Sequence, residues 1–318
     1  MSHNSARGTV PQPAPPSQRL PGSNPTRWEW PTLGLIVATM ALWGVGVTWA
    51  AEIWVPLGFV FTTFALVLHA SLTHEVLHGH PFPSRRASEA LMYVQPGLAI
   101  PYLRFRDLHL AHHQDARLTD PYDDPETNYL DPAVWARLPR WCQRVALANN
   151  TLAGRMLFGP FLAQVVFMRN DWRAIRAGDG QVALGWALHL PGVLLVLWAV
   201  NASAMPLWVY VLACYCALSV LRIRTFLEHQ AHEKASGRTV VIEDRGLLAF
   251  LFLNNNLHVV HHMHPAVPWY RLPKLYWANK ARYLRRNHGY VYRSYGAVFR
   301  AYFWRCKDPV AHPLWPQR

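Results

Sequence analysis

The chain has 318 residues, enough for two soluble domains, but 52% are hydrophobic and only 15% carry charge. With 15 Trp gathered around apolar runs, this is the profile of a membrane protein with sizeable extramembrane parts. The net charge of +13 would suit a nucleic-acid binder, but basic residues also accumulate on the cytoplasmic side of membrane proteins, and no nucleic acid is expected as a partner. Four cysteines (Cys142, Cys214, Cys216, Cys306) form no C-x-x-C pair, which argues against a disulfide framework and for ordinary reduced thiols.

Residues 1–28 are rich in Pro, Ser and Asn and lack the apolar core of a signal peptide, so a disordered leader is expected. Leu33–Ala51 and Ile53–Thr73 are apolar runs separated only by Glu52. At about 1.5 Å per residue each can cross a hydrocarbon core of roughly 30 Å, and together they predict a tight helical hairpin. Leu91–Leu103 is too short to cross and contains Pro96 and Pro101; it reads as a re-entrant or interfacial segment. An acidic stretch follows, then an amphipathic region to Ala177 expected on the membrane surface. Val182–Val200 and Met205–Val220 predict a second hairpin. From Trp269 to Trp304 aromatic and basic residues alternate, as in a membrane-interface anchor.

The cations test this topology. Three of the 31 Lys and Arg precede the first span, twelve lie between Leu77 and Gln181, and sixteen follow Leu221. By the positive-inside rule, both termini then face the cytoplasm. The expected fold class is an all-α membrane protein with four transmembrane helices as two hairpins and a cytoplasmic helical cap.

That cap carries three histidine groups: His74 and His78; His109, His112 and His113; and His258, His261 and His262. Residues three and four apart share a helix face, so each H-x-x-H-H run can turn its imidazoles toward one point. One such pair is weak evidence. Three groups on one side of a membrane suit two first-row metal ions, since eight imidazoles exceed the needs of one ion. Thiolate ligands are absent, which disfavours an iron–sulfur cluster or structural zinc. His74-Glu75-Val76-Leu77-His78 also fits the H-E-x-x-H of zinc proteases, but a protease leaves the other six histidines without a role.

The boxes, their order, the paired spans, RTFLEH before the last box and NNNLHVVHHMHPAVPWYRLP around it resemble the membrane fatty acid desaturase and hydroxylase superfamily, particularly bacterial desaturase-like proteins. The resemblance covers Leu66 to Leu275. It implies a membrane domain over residues 29–275 with a basic aromatic interfacial tail over 276–318. It also implies two iron ions bound by His74, His78, His109, His112, His113, His258, His261 and His262, with dioxygen as co-substrate. The family uses a further histidine, offered here by His229 or, as second choice, His232. Asn254 or Asn255 can stand near the metals. Asp115 is expected as a carboxylate partner of a metal-bound imidazole, with Glu228 and Asp244 as weaker candidates; Asp120, Asp123, Asp124 and Glu126 read equally well as a solvated loop. His80 and His264 are expected as proton-handling or surface groups, His69 as lining a tunnel or packing a helix, and His189 as structural. His3, His288 and His312 fall outside the boxes.

The implied activity is oxygen-dependent desaturation of a fatty acyl lipid, with hydroxylation or ketolation of a lipid, hydrocarbon or carotenoid as the alternative and zinc-dependent hydrolysis as the third reading. A bacterial inner-membrane location is expected. Only 54 residues follow His264 and no G-x-G-x-x-G occurs, so a separate electron donor of ferredoxin type is expected.

Overall fold

Four apolar stretches form helices long enough to cross a membrane. We label them α1 (Trp30–Ile53), α2 (Val55–Leu77), α5 (Gly180–Asn201) and α6 (Leu207–Thr225), with α3 (Tyr102–His112), α4 (Gly159–Arg176) and α7 (His258–Met263) as the other helices that position the site. The structure, a computed structural model, describes residues 28–315; the expected leader (to residue 27) and His3 lie outside the described residues.

The spans begin and end a few residues from the apolar limits read in the sequence, because helices continue until a residue stops them. Pro31 and Pro56 sit in the first turns of α1 and α2, where proline is tolerated. Trp54, in extended conformation, breaks the chain between them. The α2 helix runs past Thr73 and carries His74 inside its last turn. Val37, Val60, Leu194, Trp198 and Trp208 on these helices are exposed, an outward apolar surface suited to lipid.

The α1 and α2 helices pack together, and α2 also lies along α6. Their close approach depends on two glycines. A Cβ on Gly46, within a π-helical turn of α1, would sit 2.7 Å from Thr62 Oγ1; one on Gly58 would sit 2.7 Å from the Gly46 carbonyl oxygen. The inner half of α2 is then buried from Ala65 to Leu77, with Ala70 alone partly exposed.

The segment after Leu91 has no regular structure until Tyr102, as its prolines predict. Its backbone acceptors are met by the spans: His189 Nε2 lies 2.9 Å from the Leu98 carbonyl, and the Tyr210 hydroxyl donates to the Pro96 carbonyl at 2.6 Å. Irregular backbone among apolar helices requires such partners. His189 is therefore a structural residue.

The α3 helix is fixed to α4 by Arg104, which donates two hydrogen bonds to Asp171 at 2.9 and 2.8 Å; Trp186 Nε1 from α5 donates to the same carboxylate at 2.9 Å. Trp141, Phe161, Val166 and Trp172 between the two pairs of spans are exposed.

The C-terminal part packs inward. Val241–Ile242 and Val291–Tyr292 form a short parallel ladder. Tyr276, Tyr283 and Tyr295 are buried, leaving Trp277 and Trp304 as the exposed large aromatics of this region. Tyr276, Tyr283 and Tyr295 thus complete the core from the tail.

Candidate metal centre

The three histidine groups meet at the ends of separate helices. His74 lies in the final turn of α2 and His78 caps it; His109 and His112 end α3 and His113 caps it; His258, His261 and His262 lie on the six-residue α7. His229 comes from the strand-like segment after α6, bridged to Thr239.

They do not converge on one point. Ring nitrogens of His74, His78, His109, His113 and His261 lie within 4.8 Å of one another, and those of His112, His229, His258 and His262 form a second set within the same limit. Each H-x-x-H-H run is divided. His109 and His113 join the first set and His112 the second; His258 and His262 join the second and His261 the first. The expectation of one focus per run is corrected, and the reason is helical. At 3.6 residues per turn, positions three and four residues on fall to opposite sides of the first, so one run can face two centres.

The outward nitrogens are held by hydrogen bonds. His112 Nδ1 lies 2.8 Å from Asp124 Oδ1, His109 Nδ1 lies 2.9 Å from Glu126 Oε1, and His258 Nδ1 lies 3.1 Å from Asn255 Oδ1. A proton on each Nδ1 turns each Nε2 lone pair inward. Asp124 is itself held by backbone N–H groups of Thr119 and Glu126, both at 2.9 Å.

The inner nitrogens then crowd. His112 and His229 approach to 2.8 Å between Nε2 atoms, His258 and His229 to 3.2 Å, and His113 and His109 to 2.9 Å. Buried His74 Nε2 and both nitrogens of His78 have no hydrogen-bond partner among the described residues. Buried polar atoms left this way are costly, and a cation among converging lone pairs satisfies them together. The residues fit two metal ions.

Electrostatics agree with that fit. Burial, reinforced by neighbouring imidazoles, holds His113, His229, His258 and His261 well below the usual histidine range, so they are neutral, as ligands must be. Burial opposes charging of His112, yet Glu126 and Asp124 outweigh it and push the imidazole up to about 9. Burial would raise Glu126, but His112 and His109 keep it ionised, well below the carboxylate range.

Several expected residues have other places. Asp124 and Glu126 are the carboxylate partners observed here; Asp115 opens a short 3-10 turn and its side chain is outside the described part of the structure. Asp120 instead orders its loop by accepting from the N–H groups of Tyr122 and Asp123. Asn254 Nδ2 donates to the Trp269 carbonyl at 3.1 Å, away from the histidines. His232 belongs to neither set; it stacks on His288 with ring centres 4.7 Å apart. Glu228 lies 3.1 Å from Arg224 and 3.8 Å from His258 Nδ1. Asp244 accepts from the Tyr295 N–H at 3.0 Å.

Glu75 is buried and accepts from the Trp269 N–H at 2.8 Å. His80 is not a surface group: it is buried, with Nδ1 2.6 Å from Glu29 and Nε2 3.7 Å from Glu75. His69 is buried in α2 and lies against Thr73; His264 rests against the Tyr283 ring; His312 is buried near Thr119. In the sequence Asp124 and Glu126 read equally well as a solvated loop, and their closeness to the second box is the signal that points to them.

A model of the fatty acid desaturase family matches residues 48–295, and the chain belongs to that family. It is 25% identical over 266 residues to the Sorghum bicolor protein named "Probable fatty acid desaturase DES1", an alignment covering 76% of this chain and 64% of that protein. It is also 25% identical over 267 residues to the beta-carotene ketolase of Paracoccus sp. (strain PC1), covering 76% of this chain and 90% of that one. The chain thus spans less than two thirds of the Sorghum protein's length. What this chain itself brings is four helices long and apolar enough to cross a membrane and two sets of histidines that could hold metal.

Proposed function

We propose that the protein is an oxygen-dependent di-iron membrane oxidoreductase acting on the alkyl part of a lipid, with fatty acyl desaturation as its activity. The observation that carries this reading is the division of nine histidines into a set of five and a set of four. An all-nitrogen donor set suits first-row metals, iron among them. Two iron ions, when bound, supply the redox chemistry with dioxygen that removes hydrogen from an unactivated chain.

The chain's own residues do the rest. His74, His78, His109, His113 and His261 hold one ion, and His112, His229, His258 and His262 the other. Asp124, Glu126 and Asn255 fix the imidazole tautomers. Glu75 faces Trp269 and His80, which gives it a structural place and supports the oxidoreductase reading over a zinc hydrolase. In the membrane, the uneven basic residues support two hairpins with the histidines and both termini on the cytoplasmic side of a bacterial inner membrane. Electrons come from a separate ferredoxin-type donor.

A second reading has its own observation. The alignment to the ketolase covers 90% of that protein, which favours hydroxylation or ketolation on the same scaffold. Expression in a heterologous membrane with lipid and carotenoid profiling distinguishes the two, with His261→Ala as the inactive control. Purified protein containing zinc but no iron, and active without oxygen, would overturn both.

A further inference from the structure

Of the nine histidines brought together, His229 alone lies on neither a helix nor a helix cap. A helical side chain is placed by its own helix, whereas His229 has to be placed from outside. Its ring gives no help. The Nδ1 atoms of His109, His112 and His258 meet hydrogen-bonding partners, but the buried Nδ1 of His229 meets none among the described residues. Its position therefore comes through the backbone.

One edge of that backbone is held by the segment it pairs with. The Gln230 N–H donates to the Arg238 carbonyl at 3.0 Å, and the Val240 N–H to the Glu228 carbonyl at 3.1 Å. These bonds flank the His229–Thr239 bridge, which makes it a non-hydrogen-bonded antiparallel pair. The His229 carbonyl and the Ala231 N–H then point to the opposite edge, where each still needs a partner. Two consecutive residues of the C-terminal segment meet that need. Lys307 Nζ donates to the His229 carbonyl at 2.6 Å. The Ala231 N–H donates to the Tyr129 hydroxyl at 2.9 Å, and that hydroxyl donates to Asp308.

We propose that the C-terminal segment is a clamp that positions His229, with Lys307 and, through Tyr129, Asp308 as the positioning residues; the proposal rests on the metal-site reading above. The clamp comes from beyond residue 295, where the match to the family model ends.

The burial of Lys307 supports this role. Of the four lysines, Lys234 and Lys274 are exposed and Lys280 is partly so, whereas the Lys307 side chain is 5% exposed. A buried ammonium destabilises a fold unless its charge is answered, and the nearest carboxylate, Asp308, is 3.9 Å away. A methionine of similar length would fill the space without that cost. What lysine adds is the bond to the His229 carbonyl.

The clamp is itself fixed, and it serves one set of histidines. The Lys307 N–H donates to the Asn150 carbonyl at 3.2 Å, and Val310 and His312 each share a backbone hydrogen bond of 2.8 Å with Leu130. His312 Nε2 lies 3.3 Å from Thr119 Oγ1, and the Thr119 N–H donates to Asp124, the partner of His112. His229 and His112, whose Nε2 atoms are 2.8 Å apart, both belong to the four-histidine set. The segment thus braces that set from two sides.

The test uses the full chain in nanodiscs and Co(II) alone as the probe, with equivalents counted by calorimetry and by visible d–d absorption. The parent is expected to bind two tight equivalents. Lys307→Met is expected to keep one and to weaken the other by about tenfold or more, with altered d–d bands. Asp124→Asn acts on the same set through His112, so K307M/D124N is expected still to hold one tight equivalent. Asp179→Ala removes the N-cap of α5 and controls for general loss of stability: a lower thermal midpoint is expected, with both equivalents intact. Should Lys307→Met not fold, Tyr129→Phe, which removes the hydroxyl between Ala231 and Asp308, takes its place with the same selective loss expected. Two tight equivalents with the parent's spectrum in that variant, or none in the double variant, overturn the proposal. So does the same selective loss in Asp179→Ala. Absence of Co(II) binding by the parent would instead sink the metal-site reading, and the clamp with it.

Discussion

His112 and Asp124 form a buried pair, with Nδ1 and Oδ1 2.8 Å apart and each residue no more than 4% exposed. The pair fixes the only member of its helix that faces the four-histidine set. Loss of a carboxylate behind a metal-bound imidazole weakens metal binding by about 10–100-fold. Asp124→Asn is expected to lower affinity at one of two sites, so that titration with Fe(II) or Co(II) shows one tight and one weakened equivalent. Two undisturbed tight sites would remove this role from Asp124.

The two neighbouring asparagines should behave differently. Asn255 accepts from His258, so Asn255→Leu is expected to weaken the same set of histidines. Asn254 has φ of 57° and bonds the Trp269 carbonyl; Asn254→Gly suits that left-handed backbone and is expected to leave metal content unchanged. Equal metal loss in both variants would contradict the geometry.

Asp171 is a stability residue. It takes two hydrogen bonds from Arg104 and one from Trp186, and joins α3 to α4 and α5. Asp171→Ala leaves a largely buried guanidinium without its partner, which costs about 3–5 kcal/mol. A clear fall in the thermal midpoint in detergent is expected, and a midpoint within error of the parent's would show the pair to be dispensable.

The crossing of α1 and α2 makes a steric prediction. A Cβ on Gly58 would lie 2.7 Å from both the Ala51 Cα and the Gly46 carbonyl oxygen, and neither backbone atom can yield cheaply. Gly58→Ala is expected to destabilise by about 1–3 kcal/mol. Gly34→Ala, with nothing within 4 Å of the added methyl, is expected to be neutral or stabilising, because alanine is the better helix former. Detergent melts of the two variants should therefore move apart.

What the sequence determined by itself was whatever depends on local composition and spacing. Runs such as Val55–Leu77 are apolar over a membrane's thickness, so their span character was legible from hydropathy alone. The histidine boxes were legible because helical spacing places their members near one another, and the motif context carried the family. Tertiary structure decided how the boxes are used. Spacing places His109, His112 and His113 on neighbouring faces, but only the approach of α2 and α7 sends His109 and His113 to one set and His112 to the other. The same applies to the partners. Asp115 is nearer to the box in sequence, yet the turn that returns the chain at Thr119, with φ of 69°, brings Asp124 and Glu126 to the imidazoles. His229 and His232 differ by three positions, and the bridge from His229 to Thr239 places the first among the histidines while the second stacks on His288. A one-dimensional pattern limits which residues share a face. Which neighbour that face meets is set by packing between helices distant in sequence.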